Sequence, residues 1–91
     1  MQKYFIVIAK SGNNYSACSP DVLGCVATGA TVEETLENII SALEFHFEGM
    51  VEDNEEIPQP NGVEYHIKNS ELPLGKKYLF TEVEINIPAI A

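Results

Sequence analysis

The chain has 91 residues, 45% of them hydrophobic, and a formal net charge of −9. This length predicts a single domain, and the composition is that of an ordinary globular protein, which argues against general disorder. Its five basic residues are all Lys. The absence of Arg and the shortage of cationic side chains disfavour direct nucleic-acid binding, which depends on phosphate contacts.

The negative charge is concentrated in one segment. Nine acidic residues and no Lys lie between Glu33 and Glu56, and the five acidic residues elsewhere are balanced by the five Lys. An acidic surface of this kind suits a basic partner. A solvated acidic helix that keeps the protein soluble is an equally good explanation, so both interpretations stay open.

The ends and the cysteines of the sequence indicate a cellular compartment. No signal-peptide pattern precedes the first strand, and no apolar run approaches the roughly 18 residues of a membrane span. We therefore expect a cytoplasmic protein in which Cys18 and Cys25 are reduced and buried. Two cysteines seven residues apart, with both histidines far away in sequence, do not make a zinc site, and no cofactor is expected.

The first third of the chain predicts three strands. Residues 4–9 (YFIVIA) are β-branched and aromatic without polar alternation, which indicates a central strand covered on both faces. Residues 11–14 (SGNN) are typical of a hairpin turn, and YSACS follows as a second strand. Pro20 and Gly24 then predict turns, and CVATG predicts a third, short strand.

The main helix is expected to begin at Thr31. Thr31 at the N-cap and Glu34 three positions later form a capping box. Apolar residues then recur at helical spacing and predict one buried stripe: Val32, Leu36, Ile39, Ile40, Leu43, Phe47 and Met50. Phe45 falls on the polar face instead. We interpret it as an interface candidate, although single exposed apolar residues are common and often mean nothing.

The last third of the chain is less regular. Pro58 and Pro60 hold a loop in extended form, residues 63–67 (VEYHI) fit either a helical turn or a strand, and residues 61–75 stay unassigned. Alternation from Leu79 predicts a final strand with one inward face, comprising Leu79, Thr81, Val83, Ile85 and Ile87. The order β-β-β-α-β predicts an α+β two-layer domain.

Catalytic patterns are scarce. The sequence has no nucleophile elbow, phosphate-binding loop or H-E-x-x-H motif, and Ser19 has no nearby His that would activate it. Asp21 has two compatible interpretations. In one it bonds its own backbone amides and fixes the loop; in the other it is a rigid carboxylate that, beside Val22 and Leu23, contacts a basic partner.

The motifs taken in order resemble a known family. The sequence resembles the HicB-type antitoxins of prokaryotic toxin–antitoxin pairs. The pattern of that family is a strand ending in Tyr, then P-D-x-x-G-C, a small strand, G-x-T-x-E-E-A/T, a helix and I-P-x-P. The resemblance is close over residues 4–60. The matching positions are Tyr15, Pro20, Asp21, Gly24, Cys25, Gly29, Thr31, Glu33, Glu34, Thr35, Ile57, Pro58 and Pro60.

The resemblance implies a partial, degraded RNase H-like fold over residues 1–91, as one HicB-like domain without the separate DNA-binding domain that many members carry. It implies a non-enzymatic antitoxin that covers the active site of a small, basic, mRNA-cleaving toxin of the HicA type. A homodimer or homotetramer is expected, with neither nucleic acid nor membrane as a direct partner. The first strand lacks the metal-binding acid of RNase H, which argues against nuclease activity.

Six residues are the predicted partner contacts under this interpretation: Asp21, Val22 and Leu23 in the loop, and Glu33, Glu37 and Phe45 on the helix. The alternative is an orphan oligomeric scaffold, or a small-molecule-binding domain, with no toxin partner. A metal-dependent nuclease that needs Asp21 is the least supported hypothesis.

Overall fold

The computed structural model describes residues 2–22, 24–62, 64–65 and 78–85. Their main elements are β1 (Gln2–Ser11), β2 (Asn14–Cys18), β3 (Val26–Gly29), α1 (Val32–Glu52) and β4 (Tyr78–Ile85). The predicted β-β-β-α-β order is confirmed. Glu64 and Tyr65 are helical, whereas the remainder of the VEYHI segment, and Ile87 of the predicted last strand, lie outside the described residues.

The four strands form one antiparallel sheet in the order β3-β2-β1-β4. β1 lies in the middle, and its residues from Tyr4 to Ile8 are all buried, as its unbroken apolar run predicts. Gly12 and Asn13 connect β1 to β2, because Ser11 pairs with Asn14. Gly12 has a φ of +61°, which matches the first central position of a type II′ hairpin turn and costs glycine little.

α1 begins where the capping box predicts. The Thr31 Oγ1 accepts a hydrogen bond from the Glu34 backbone N–H at 3.1 Å. The fully buried positions of the helix are spaced four residues apart: Thr35, Ile39, Leu43 and Phe47. Thr35 is absent from the predicted apolar stripe. Its hydroxyl donates to the Thr31 carbonyl oxygen at 2.7 Å, and that bond allows a polar side chain to be buried.

The hydrophobic core lies between α1 and one face of the sheet. Tyr4, Ile6 and Ile8 supply the centre of that face, and the Tyr4 ring lies 5.2 Å from the Phe47 ring. Val83 and Ile85 of β4 are buried on the same side, but Leu79 is 51% exposed. Because α1 contacts β3 more extensively than β4, it covers this edge strand only in part.

α1 is long, but it carries many acidic side chains. Within the residues that the structure describes, no helix combines the length and the apolarity that a membrane crossing requires.

Candidate functional site

The loop between β2 and β3 (residues 19–25) is tied to the segment that follows the helix. A backbone hydrogen bond from the Val22 N–H to the Ser19 carbonyl oxygen, 3.0 Å long, closes the turn. The Asp21 carboxylate accepts two bonds from Asn61, one from its backbone N–H at 3.1 Å and one from its side-chain Nδ2 at 2.7 Å. Asp21 therefore fixes the loop through a residue 40 positions later, a tie that the Asx-turn prediction did not include.

Tyr4 makes a second tie to the same segment, which we call the strap (residues 55–62). Its hydroxyl donates to the Pro58 carbonyl oxygen at 2.7 Å. Burial, and then the negative charge of Asp21, raise the pKa of the Tyr4 phenol above its ordinary value near 10. The phenol therefore stays protonated at neutral pH. Its contribution to stability is complete below about pH 10 and is lost as the pH rises through the raised pKa.

Removal of the Asp21 carboxylate tests the tie between the loop and the strap. Asp21→Ala is expected to lower the free energy of unfolding by about 1 kcal/mol, because the lost bonds join partly exposed groups that water can still solvate. The midpoint of thermal unfolding should fall by about 4–8 °C, measured by circular dichroism. Asn61→Ala should have a smaller effect, because its backbone N–H still donates to Asp21, and the double variant should lose little more than Asp21→Ala alone. Additive losses would contradict a direct tie.

The two other loop residues that were predicted to contact a partner are Val22 and Leu23. Val22 is only 2% exposed and packs in the core, so its side chain supports the loop from below and offers no surface for direct contact. The prediction that the Val22 side chain contacts a partner is therefore wrong. Val22 was expected on the surface because it sits in a turn, but the turn folds its side chain into the core. Leu23 lies outside the described residues.

The helix residues named from the sequence lie on the surface, but not in one patch. Phe45 is 78% exposed, as its place on the polar face predicts, and Glu33 and Glu37 are exposed too. Twelve residues separate Glu33 from Phe45, which is about 18 Å along the helix axis. The two Glu therefore lie towards the beginning of α1, and Phe45 lies towards its end. Their partner contacts stay predictions.

The structure adds a groove that the sequence did not indicate. It has a volume of about 380 Å³ and lies between the start of β3 and the C-terminal half of α1. Its lining comprises Gly24, Cys25, Val26, Ala42, Phe45, His46, Gly49, Met50, Asp53 and Glu55. The five helix residues from Ala42 to Met50 recur at helical spacing and share one flank of α1. That spacing is a signal in the sequence, but only the fold shows what faces it.

The groove has an apolar floor and one exposed aromatic wall. Cys25 is 6% exposed, and burial raises the pKa of its thiol, so it is a neutral, apolar surface at physiological pH. Phe45, 78% exposed, stands at one side. Val26 borders the groove where β3 begins, although the strand register turns its side chain to the opposite face of the sheet. Nearer the start of α1, the Asn38 side-chain Nδ2 donates to the Thr28 carbonyl oxygen at 2.7 Å and holds the helix against β3.

The sheet face turned away from α1 is a second apolar surface. Strand register places Val26, Cys18, Val7 and Phe80 side by side across the sheet. The Phe80 ring is half exposed and stacks on Phe5 with 5.6 Å between ring centres. Both thiols are free, and Cys25 is buried in the core as predicted. The prediction that Cys18 is buried is wrong, because β2 places its side chain on this outer face of the sheet.

The described residues offer no arrangement for catalysis or metal binding. No group of three His, Cys, Asp or Glu among them lies close enough together to hold a metal ion. The Ser19 hydroxyl is buried and has no hydrogen-bond partner in this part of the chain. A serine nucleophile needs a base that bonds its hydroxyl, and the described residues supply none.

A four-stranded antiparallel sheet with one helix across it is an α+β domain, and this arrangement is consistent with the partial RNase H-like fold that the resemblance implied. The sequence matches the model of the HicB_like antitoxin family of bacterial toxin–antitoxin systems over residues 4–89. The chain therefore belongs to the HicB-like antitoxin family, as its motifs predicted.

Two curated proteins are similar in sequence. An uncharacterised 14.9 kDa protein of Haemophilus phage HP1 is 38% identical over 84 residues, which are 92% of this chain and 61% of the phage protein. This chain thus spans less than two thirds of that relative's length. A UPF0150 protein of Synechocystis sp. is 30% identical over 57 residues, which are 62% of this chain and 72% of the cyanobacterial protein.

Solved structures share the fold. The N-terminal domain of the Burkholderia pseudomallei antitoxin HicB superposes with a TM-score of 0.79 at 22% identity, covering 93% of this chain and 99% of that domain. A chain of the HicA3 and HicB3 toxin–antitoxin complex gives a TM-score of 0.78 at 24% identity, with the same coverage. At these identities the likeness establishes the fold alone.

Proposed function

We propose that this chain is the antitoxin of a type II toxin–antitoxin pair. In this proposal it neutralises a small, basic, mRNA-cleaving toxin of the HicA type by binding it and covering its active site, and it has no enzymatic activity of its own. Family membership supports the antitoxin role, and a structurally similar HicB3 protein occurs in a complex with HicA3. The single observation that carries the proposal is the acidic outer surface of α1, which ends at an exposed aromatic ring.

The acidic surface and the aromatic ring have different physical roles in the proposed complex. Glu33, Glu37 and Glu48 are exposed along α1 and attract a basic protein over several ångströms, which speeds association and sets the orientation. Phe45 supplies apolar area that becomes desolvated when the partner covers it, as the central residues of protein interfaces do. Binding of this kind blocks a ribonuclease without chemistry on the antitoxin side.

A growth test combined with a binding measurement tests this proposal. A small basic ribonuclease encoded beside this chain should arrest growth when induced, and co-expression of this chain should restore growth. The pair Glu33→Lys and Glu37→Lys should weaken the measured affinity at least about tenfold, or ~1.4 kcal/mol. The loss should shrink as salt is added, because salt screens exposed charges.

The matched control for this test is the pair Glu82→Lys and Glu84→Lys on β4. It changes the net charge by the same amount, and both residues are exposed, but they lie on the sheet face turned away from α1. The mass of this variant is compared with that of the wild type, because the same face carries Phe80. Equal losses for the two pairs would mean that overall charge, and not the α1 surface, governs binding. Growth arrest without rescue would overturn the antitoxin proposal itself.

We also infer that the chain self-associates through the sheet face that carries Phe80. Phe80 and Val26 are 51% and 62% exposed on that face, beside the buried Phe5 and Val7. A domain of this size gains stability when a partner covers such an area. Light scattering should give a mass of at least twice the monomer mass of 10.0 kDa. A monomer at micromolar concentration would contradict the inference.

A small-molecule-binding domain is the second candidate. A groove of about 410 Å³ lies beside the strap, lined by Gln2, Val51, Asn54, Glu55, Glu56, Ile57 and Gln59. Its volume is within the usual range for ligand pockets. Absence of rescue, together with thermal stabilisation of the chain by a metabolite, would favour this candidate over the antitoxin.

A further inference from the structure

Gly49 has no structural reason to be a glycine within the described residues. It lies inside α1, where glycine is among the least favourable residues because it gives the unfolded chain extra freedom. A Cβ added at this position would meet no atom within 4 Å, and the backbone there is not left-handed. The close approach of β3 to α1 at Thr35, in contrast, does explain Gly29. The helix thus carries an unfavourable residue that nothing in the described part of the chain requires.

Gly49 lies in the groove between β3 and α1. Ala42, one of the other small residues of the lining, is on the same flank of the helix, seven residues earlier, and Met50 and Cys25 complete an apolar lining. The exposed Phe45 ring forms one wall. Any side chain at position 49 would take up space in this groove, so the glycine keeps it open.

The charges around the groove indicate what can enter it. Asp53 and Glu55 line one end and are exposed, and His46 is the one basic side chain of the lining. The segment from residue 33 to 56 adds seven more acidic residues and no Lys. An entering group therefore meets an apolar floor surrounded by negative charge. A second copy of this chain, with its own net charge of −9, is a poor match for such a site.

We propose that this groove is the anchor site for the toxin, and that it receives an aliphatic or aromatic side chain carried on a basic segment of that protein. The inference rests on the proposed antitoxin function and locates its central contact. In this arrangement the basic residues of the segment face Asp53 and Glu55, while the apolar side chain lies on Gly49 beside Phe45. The residues that dominate binding at an interface typically fill well-packed pockets from which water is excluded.

Substitution of Gly49 separates binding from stability. Gly49→Ala should raise the midpoint of thermal unfolding by about 4–8 °C, since alanine favours the helix. Gly49→Leu fills the groove and should weaken toxin binding at least about tenfold, measured by calorimetry with the purified toxin. If a variant is at least as stable as the wild type but binds the toxin less tightly, the substitution has disrupted the binding site while the fold is intact.

The matched control is Gly62→Leu. Gly62 also has open space around its Cβ position and a backbone outside the left-handed region, but it does not line the groove. Its affinity for the toxin should equal that of the wild type. If the wild type binds the toxin and Gly49→Leu binds it equally tightly, the anchor site is overturned but the proposed function is not. If the wild type does not bind the toxin, the proposed function is overturned. If Gly49→Leu changes the oligomeric mass of the protein in the absence of toxin but leaves the toxin affinity unchanged, the groove serves self-association. That result would also overturn the inference.

Discussion

Replacement of Phe47 with alanine is expected to lower the free energy of unfolding by about 3–5 kcal/mol. Phe47 is fully buried, lies on the last buried turn of α1 and contacts Tyr4 across the core, with 5.2 Å between the ring centres. Truncation removes apolar area and leaves a cavity beneath the helix that rigid strands cannot close. For a domain of this size the loss is a large part of the total stability, about 5–14 kcal/mol.

Thermal unfolding followed by circular dichroism measures this loss. The midpoint should fall by roughly 15–30 °C. The matched control is Phe45→Ala, which removes the same side chain from the same helix two residues earlier. Because Phe45 is 78% exposed, its truncation should change stability by less than about 0.5 kcal/mol. Similar losses for the two variants would mean that the helix face is assigned wrongly.

Phe45→Ala should nevertheless weaken binding of the toxin, whereas its fold stays intact. The two phenylalanines therefore divide stability and recognition between them. If the Phe45→Ala variant unfolds at the wild-type temperature and binds the toxin with wild-type affinity, Phe45 is not part of the proposed anchor site.

The second large effect is expected at Gly29, where β3 ends and the chain approaches α1 most closely. A Cβ at this position would lie 2.6 Å from the Thr35 Oγ1 and 2.7 Å from the Thr35 backbone N. Backbone atoms held in a helix cannot move aside cheaply, and the Thr35 hydroxyl is already engaged with the Thr31 carbonyl oxygen. Gly29→Ala is therefore expected to destabilise the chain by about 1–3 kcal/mol, as overpacked cores do.

Urea unfolding is a suitable measurement for this variant, because the midpoint should shift while the slope stays the same. Gly62→Ala is the control, since its Cβ position is open, and it should be neutral. Gly29→Val should be worse than Gly29→Ala, because its branched side chain adds atoms to the same contact. Wild-type stability for Gly29→Ala would show that the helix can move away from β3 at little cost.

Several features of this protein follow from neighbouring residues alone, and the sequence predicted them. The capping box at Thr31 and Glu34 acts over three residues, and the hairpin turn at Gly12 joins adjacent strands. The apolar run from Tyr4 to Ile8 identified the central strand without any knowledge of what covers it. Each signal depends on local backbone geometry or on one buried surface, so the order of elements and the family could be established from the sequence.

The site could be predicted only in part. The exposure of Phe45 was predicted because an apolar residue on the polar face of an amphipathic helix breaks a local pattern, and its contact with a partner stays a prediction. Val22 was named as a surface contact but lies in the core, because a turn closed by the Ser19 carbonyl oxygen folds it inward. Gly49 was read from the sequence only as a sign that the helix ends near residues 49–52. It gave no signal of a groove, since an isolated helical glycine has no further meaning until its surroundings are known.

The sequence by itself determined where the strands and the helix begin, which helix face is apolar, and where the negative charge lies, because these depend on residues close together in the chain. The tertiary structure alone decided the rest. Asp21 bonds Asn61 forty positions later, Tyr4 bonds Pro58, and Gly29 approaches Thr35 across a strand-to-helix turn. The groove exists because β3 and α1 pack side by side, and contacts between distant residues depend on the packing of the whole chain, which no local pattern encodes.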